Sequence, residues 1–157
     1  MFNLFKRKKG KIEVVNEDEP KGVIAEYYEN DNAVILKYVD ELPTKEIISK
    51  FNWFTVVSWK YDGSSRNGMP DRETNLRMIA LEHALASAFD SSSLCRHAYN
   101  RTGNNLKEFN YYINNRDEFM EHFNVALKGH EAYPIEINFY KDSEWSELRK
   151  LIKETKR

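Results

Sequence analysis

The sequence has a single cysteine, Cys95, among its 157 residues. One cysteine cannot form an intramolecular disulfide, and it excludes zinc sites built from several cysteines. No apolar run approaches the roughly 20 residues with which a helix spans a bilayer. The N-terminal segment places its charges after a very short apolar stretch, which is the reverse of a secretory signal. The sequence therefore predicts a cytoplasmic protein without disulfides.

The chain also lacks an excess of either charge, because 24 Lys and Arg residues nearly cancel 25 Asp and Glu residues. A net charge of −1 provides no overall field to attract nucleic acid or an anionic membrane. The strongly basic run at residues 6–11 lies beside Phe2, Leu4 and Phe5. Stable membrane anchoring usually takes two stronger signals than these. We therefore interpret residues 1–20 as a flexible, charged tail.

Motifs of common active sites are missing as well. The four histidines, His83, His97, His122 and His130, have no HExxH or His-x-x-x-His spacing, so no metal site is predicted. Neither a glycine-rich phosphate loop nor a GxSxG nucleophile elbow occurs. Cys95 and His97 share one side of a predicted strand but stand roughly 6–7 Å apart, without a third orienting group. We predict a small buried thiol, no catalytic residues, no metal and no cofactor.

What the chain does contain is core-forming material. Hydrophobic residues make up 41% of it, including nine Phe, nine Tyr and three Trp. That supply supports a sizeable core and argues against general disorder. The length fits one domain, which we assign to residues 21–157.

Periodicity and turn residues predict the first elements. Two apolar runs, 22–28 and 33–39, flank a turn and indicate a β-hairpin. Thr44 is the predicted N-cap of a short helix. Residues 53–61 form a strand that is apolar on both faces, which is typical of the centre of a sheet. The longest helix is predicted at 72–89, where apolar residues recur at helical spacing.

The second half completes an α+β pattern. Strands at 94–100 and 106–113 flank a turn, and Asn115 caps a further helix. A strand at 133–140 leads to a C-terminal helix that begins after Asp142. The order from residue 53 predicts a ferredoxin-like, split βαβ sheet, with the hairpin, the short helix and the C-terminal helix added to it. In that arrangement the first and third strands are central and both helices cover one face.

Strand alternation assigns side chains to the two faces of this sheet. The face under the helices receives five strand residues that pack on four helix residues: Val56, Phe109, Ile113, Ile135 and Ile137 on Leu81, Leu85, Phe119 and Phe123. The opposite face receives Val57 and the candidate binding residues Trp59, Tyr99, Tyr112 and Tyr140. Monomers seldom leave large apolar patches exposed, so the hairpin and the final helix are expected to cover this face. Otherwise a partner protein would use these aromatic residues as anchors.

Five segments resemble a bacterial family that has no assigned activity. They are Gly68-Met-Pro-Asp71, Asn75–Leu85 with its Leu81-Glu82 pair, Glu108–Ile113 running into Asp117, Ile135-Glu-Ile137, and Asp142-Ser-Glu-Trp145. Over residues 53–152 the chain resembles domain-of-unknown-function family six-nine-five, with residues 1–52 outside the similarity. At fold level that family is similar to the regulator B inhibitor of bacterial ribonuclease E. The resemblance implies a small protein that acts by binding, and it implies no catalytic residues.

Two functions are compatible with these observations. The first is a non-catalytic protein-binding or regulatory domain, such as an enzyme inhibitor or an immunity protein, because no nucleophile, metal set or phosphate loop is assembled. The second is a small hydrolase or RNA-binding domain with a site made of scattered residues. The strand at 107–113 is aromatic but departs from the RNA-recognition consensus. A polar pocket with perturbed pKa values would favour the enzyme, and a broad exposed surface would favour the binder.

Overall fold

A computed structural model describes the backbone of residues 10–12 and 22–156 and the side chains of residues 22–156. The strands of this part of the chain are β1 Gly10–Ile12, β2 Gly22–Glu29, β3 Asn32–Val39, β4 Trp53–Lys60, β5 Cys95–Gly103, β6 Leu106–Ile113 and β7 Ile135–Lys141. The α-helices are α1 Lys45–Lys50, α2 Arg72–Phe89, α3 Arg116–Ala126 and α4 Ser146–Thr155. The predicted charged tail at 1–20 lies outside the described residues, apart from β1.

All seven strands form one antiparallel sheet in the order β1-β2-β3-β5-β6-β4-β7. The predicted α+β class is confirmed. The order is not that of a simple ferredoxin-like sheet, because β3 pairs with β5 over five residue pairs, from Val34–Gly103 to Tyr38–Tyr99. The hairpin therefore extends the sheet instead of covering one of its faces. Pairing with β3 satisfies backbone groups that β5 would otherwise expose at an edge.

Asparagine-rich turns set the register of two hairpins. Asn30 and Asp31 join β2 to β3 with φ angles of 48° and 65°, and Asn104 and Asn105 join β5 to β6 with 49° and 66°. Two consecutive residues with positive φ form the turn whose twist matches that of paired strands, and Asn and Asp tolerate this conformation. Both hairpins thus follow from local sequence.

Short polar side chains begin three of the helices. The Thr44 hydroxyl accepts a hydrogen bond from the Ile47 amide, and the Asn115 side chain accepts one from the Glu118 amide, as the sequence predicts. Asp71 does the same for Thr74 at the start of α2. Each bond satisfies an amide that has no partner within its helix.

Helices α2 and α3 cover the first face of the sheet. Leu81, Leu85, Phe119 and Phe123 pack there on a floor that includes Phe109 and Ile113, with Ile135 and Ile137 half-buried at the margin. These eight positions agree with the predicted core. Their positions follow from helical spacing and strand alternation, which place apolar residues together on one side of each element.

The predicted faces of β4 are wrong by one residue. Val57 and Trp59 lie on the first face, where they are 0% and 1% exposed, whereas Val56 packs beside the second-face core. Shifting the phase of a strand by one residue exchanges every side chain between the faces. β4 is apolar at adjacent positions, Trp53–Phe54 and Val56–Val57, so alternation alone does not define its phase.

Helices α1 and α4 cover the second face over β2, β3 and β5, and over the ends of β4 and β6 that carry Phe54 and Tyr112. The core there contains hairpin residues such as Tyr27 and Tyr38, and also Tyr99 and Tyr112, which pack with the apolar side of α4. A helix layer on each side of the sheet gives the molecule three layers. No β7 residue belongs to this second core among the described residues, so the second face has a part that the helices leave open.

Candidate functional site

Three of the four candidate binding residues lie inside the molecule. Trp59, Tyr99 and Tyr112 are 1%, 7% and 0% exposed, whereas Tyr140 is 55% exposed. Trp59 is covered from the first face, with the Arg77 guanidinium 5.1 Å and the Tyr133 ring 5.4 Å from its ring. Tyr140 alone of the four presents its side chain to solvent.

Tyr112 is held by the segment that begins α4. Its ring stacks on Trp145 with centroids 4.1 Å apart and an interplanar angle of 4°. Its hydroxyl donates to Asp142 over 2.7 Å and accepts from the Leu148 amide over 3.3 Å. Burial, followed by the hydrogen bond to Asp142, raises the pKa of Tyr112 well above its ordinary value. Tyr112 therefore anchors α4 to the second face.

Trp145 has an unusual backbone for a bulky residue. Its φ and ψ of 56° and 41° lie in the left-handed region, which costs a non-glycine residue about 1–2 kcal/mol. The side chain is 2% exposed, and its indole Nε1 donates to the Phe51 carbonyl over 2.8 Å. The stacking on Tyr112 and this hydrogen bond hold the strained backbone conformation of Trp145. The side chain of Trp145 is thereby fixed in the core.

On the uncovered part of the second face, the side chains form rows that run across three strands. Each row consists of one β4 residue and its partners on β6 and β7. Ser58 lies opposite both Glu108 and Glu136, and Val56 lies opposite both Asn110 and Asn138. Phe54 lies between Tyr112 and Tyr140. We call the solvent-reaching part of these rows the open strip; it comprises Val56, Ser58, Glu108, Glu136, Asn138 and Tyr140.

The open strip is rich in hydrogen-bond acceptors. Asn110 beneath it is 0% exposed, donates to Glu108 over 3.4 Å, and leaves its own Oδ1 without a partner. Burial raises the pKa of Glu108, although the hydrogen bond from Asn110 and the nearby Arg101 oppose that shift. Neither Glu108 nor Glu136 forms an ion pair with any cation of the described residues. Two carboxylates therefore lie on this surface, and a buried acceptor without a partner lies beneath it.

Arg101 lies on β5 opposite Glu108 of β6, but its guanidinium binds other groups. Its Nη1 lies 2.9 Å and 3.0 Å from the two carboxylate oxygens of Glu29, and its Nη2 donates to the Gly103 carbonyl over 2.7 Å. Asn104 also donates to Glu29, over 3.4 Å. Arg101 is 7% exposed and the Glu29 side chain 25% exposed, so this is a part-buried ion pair that fastens the β2–β3 hairpin to the end of β5.

The loop between β4 and α2 is tethered to the same end of the sheet. The Gly63 amide donates to the Asn105 side chain over 2.8 Å, and the Gly68 carbonyl accepts from the Tyr61 hydroxyl over 2.6 Å and from the Asn105 amide over 3.0 Å. Gly68 has a φ of 88°, and a Cβ there would lie 2.9 Å from the Asn104 Cα. The Gly68-containing motif thus has a structural role in closing this loop.

A polar chain beneath α2 is absent from the sequence prediction. Asn100 donates to Glu82 over 3.0 Å, so its Oδ1 accepts from His97 Nε2 over 2.8 Å. Nearby, Lys107 donates to Thr102 over 2.7 Å, and burial lowers the pKa of its ammonium. His97 and Asn100 share a face because a bulge lies between His97 and Tyr99. A bulge shifts the alternation by one residue, and strand periodicity contains no signal for it.

The remaining catalytic and metal candidates have structural explanations. Cys95 is 4% exposed, and burial raises the pKa of its thiol to about 12, so it is not a thiolate at neutral pH. No group of three or more potential ligands for a metal ion occurs within the described part of the chain. The β6 aromatic residues Phe109, Tyr111 and Tyr112 are at most 5% exposed, so they offer no platform on which bases could stack.

These features define a three-layer α+β domain with two aromatic cores and one open, acceptor-rich strip. The chain belongs to the family of unknown function DUF695, whose model matches residues 27–150. The match begins within β2, so the family unit includes most of the hairpin, which the sequence resemblance had left outside. No curated protein and no solved structure matched the chain. None of the described helices has the length and apolar character needed to cross a bilayer.

Proposed function

We propose that this chain is a non-catalytic regulatory domain that binds another protein through the open strip, and that the partner presents an arginine-bearing, basic segment. The observation that supports the proposal is the pair of carboxylates, Glu108 and Glu136, on either side of Ser58, neither of which forms an ion pair with a cation of the described residues. Tyr140 adds an exposed aromatic ring two rows further along the strip. Acidic and aromatic groups together favour a cationic partner.

The spacing of the strands suits a guanidinium group. β6 and β7 flank β4, so Glu108 and Glu136 start from strands about 10 Å apart, twice the usual strand separation. A planar guanidinium above Ser58 reaches one carboxylate on each side and still has donors to spare.

We further propose the setting in which this binding takes place. The protein is a bacterial, cytoplasmic inhibitor or immunity protein, in keeping with the absence of a spanning helix in residues 22–156. Residues 21–157 fold as one domain, which the single sheet supports. Strands β5, β6, β4 and β7 with α2 and α3 form a ferredoxin-like unit, and β2 and β3 lengthen its sheet.

Affinity capture with charge-matched variants tests the proposal. Glu108→Gln with Glu136→Gln removes both carboxylates of the open strip and keeps their shapes. Glu73→Gln with Glu121→Gln removes two exposed charges from α2 and α3 and serves as the control. A partner bound by the native protein and by the control, but lost by the first variant, is the expected result. Equal capture by both variants contradicts the proposal.

A small hydrolase is the second candidate, and one observation favours it. The Glu82–Asn100–His97 chain orients an imidazole in the way that acid–base catalysis requires. The neighbouring Cys95 thiol is protonated, so any nucleophile would be water or the substrate. Turnover of ester, amide or phosphodiester substrates that is abolished by His97→Ala, with the fold retained, would favour this candidate over the binder.

A further inference from the structure

β7 is an edge strand with little protection. Among the described residues it pairs only with β4, so the backbone amides and carbonyls on its other side have no strand partner. Sheets usually block such edges with lysine, proline, a bulge or a covering segment. β7 runs for seven residues in unbroken register, contains no proline, and has its one lysine at the last position, Lys141. An edge of this kind is a template for another strand.

We propose that β7 is the seam of a homodimer, in which two copies of this chain pair antiparallel around a two-fold axis at Asn138. When the two-fold axis is perpendicular to the sheet, each residue pairs with a residue whose side chain lies on the same face. The two residue numbers are therefore both odd or both even. Centring the axis on Asn138 pairs every residue from Ile135 to Lys141 with a residue of the second copy. Centring it on Ile137 or Phe139 leaves two residues at one end of each strand unpaired.

The side chains of β7 are complementary to themselves in this register. On the second face, Glu136 meets Tyr140 of the second copy, so the phenol can donate to the carboxylate, and the two Asn138 amides can bond to each other. All three residues are exposed in the single chain. No two carboxylates and no two ammonium groups stand directly opposite one another. Like charges at that position would destabilise the pair.

The first face supplies the apolar part of the seam. In the same register Ile137 meets Phe139 of the second copy, and Ile135 meets the aliphatic stem of Lys141. Ile135, Ile137 and Phe139 are each half-buried against the first-face core, where the Phe139 ring meets the ring of Phe119 from α3. Pairing with a second copy removes that remaining apolar surface from water. This inference rests on the edge of β7 and not on the proposed function, although Glu136, Asn138 and Tyr140 belong both to the seam and to the open strip.

Charge substitution at the two-fold axis tests the seam directly. Asn138→Lys places two ammonium groups opposite each other, and Asn138→Glu places two carboxylates there. Asn124→Lys, at an exposed position of α3, adds the same charge away from the edge. By light scattering coupled to gel filtration, the native chain and Asn124→Lys should have twice the 18.6-kDa chain mass. Each Asn138 variant alone should have the monomer mass, and an equimolar mixture of the two should recover the dimer.

Three outcomes overturn the proposal. One is a monomeric native chain at its highest soluble concentration, which leaves no seam to explain. Another is a dimer that persists in both Asn138 variants, which places the interface elsewhere. The last is a mixture that stays monomeric, which shows that the substitutions act by general perturbation and not by charge across the axis. Recovery in the mixture also demonstrates that both variants are folded.

Discussion

Leu85 is the residue at which the packing between α2 and the sheet is most simply tested. It is 0% exposed within the first-face core, whereas Leu76 on the same helix is 56% exposed. Leu85→Ala should lower the free energy of unfolding by about 2–5 kcal/mol, because it leaves a cavity. Leu76→Ala, the control, should change it by no more than about 0.5 kcal/mol. Urea unfolding of the two variants checks the difference, and equal effects would mean that the helix face is misassigned.

Gly68 tests the closure of the loop between β4 and α2. Gly68 and Gly129 have φ angles of 88° and 85°, so alanine at either position meets the same backbone strain of about 1–2 kcal/mol. A Cβ at Gly68 would also lie 2.9 Å from the Asn104 Cα, whereas nothing lies within 4 Å of a Cβ at Gly129. Gly68→Ala should therefore cost about 1–3 kcal/mol more than Gly129→Ala in thermal unfolding. Similar losses would show that the loop yields without cost.

Single residues also mark the limit of sequence reasoning. The buried positions of Phe119 and Phe123 follow from helical spacing, and the N-cap at Asn115 follows from its side chain. The phase of β4 does not follow, since neighbouring positions such as Val56 and Val57 are both apolar. Nor does the contact of His97 with Asn100, because it depends on a bulge in the backbone. The sequence contains the residues of this polar chain, but strand periodicity does not predict the bulge that brings them together.

At the level of elements, the start of α4 depends on one carboxylate. Asp142 accepts from the Ser146 and Glu147 amides over 2.8 Å and 3.1 Å, and from the Tyr112 hydroxyl. Asp142→Ala removes the acceptors of all three hydrogen bonds and should lower the free energy of unfolding by about 1–3 kcal/mol. Glu144→Ala is the control, because its side chain is exposed in the same connection. If circular dichroism shows equal stability for both variants, Asp142 does not hold α4.

Element boundaries were predictable to within a few residues where turns or caps mark them. The helix predicted at 72–89 is observed as Arg72–Phe89, and the strand predicted at 106–113 as Leu106–Ile113. The pairing of each hairpin with its neighbouring strand was harder to infer. The hairpin joins the sheet beside β5, because an exposed strand edge and a strand of matching length satisfy each other. Local patterns describe each hairpin but not the neighbour with which it pairs.

At the level of the whole molecule, buried tyrosines make stability sensitive to alkaline pH. Burial raises the pKa of Tyr27, Tyr99, Tyr111 and Tyr112 above the ordinary value of about 10. Their contribution is fully present below the unfolded-state pKa and is lost as pH rises above it, because the unfolded chain then releases protons that the folded chain keeps. The loss is at most about 1.4 kcal/mol per pH unit for each tyrosine.

Urea unfolding between about pH 9 and about pH 11 should therefore show falling stability, and Tyr112→Phe should reduce the slope. Tyrosinate absorbance from these four residues should appear together with unfolding and not before it. Ionisation of all nine tyrosines in the folded chain would contradict their burial.

The central claim is that the open strip binds a basic segment, and a nuclear magnetic resonance titration of the labelled chain tests it most directly. A tetra-arginine peptide should shift the amide signals of Ser58, Asn110, Asn138 and Tyr140, while a tetra-glutamate peptide should leave them in place. Glu108→Gln with Glu136→Gln should abolish the arginine-induced shifts, and Glu73→Gln with Glu121→Gln should preserve them. Shifts dispersed over the whole surface, or confined to the loops and α2, would contradict the claim.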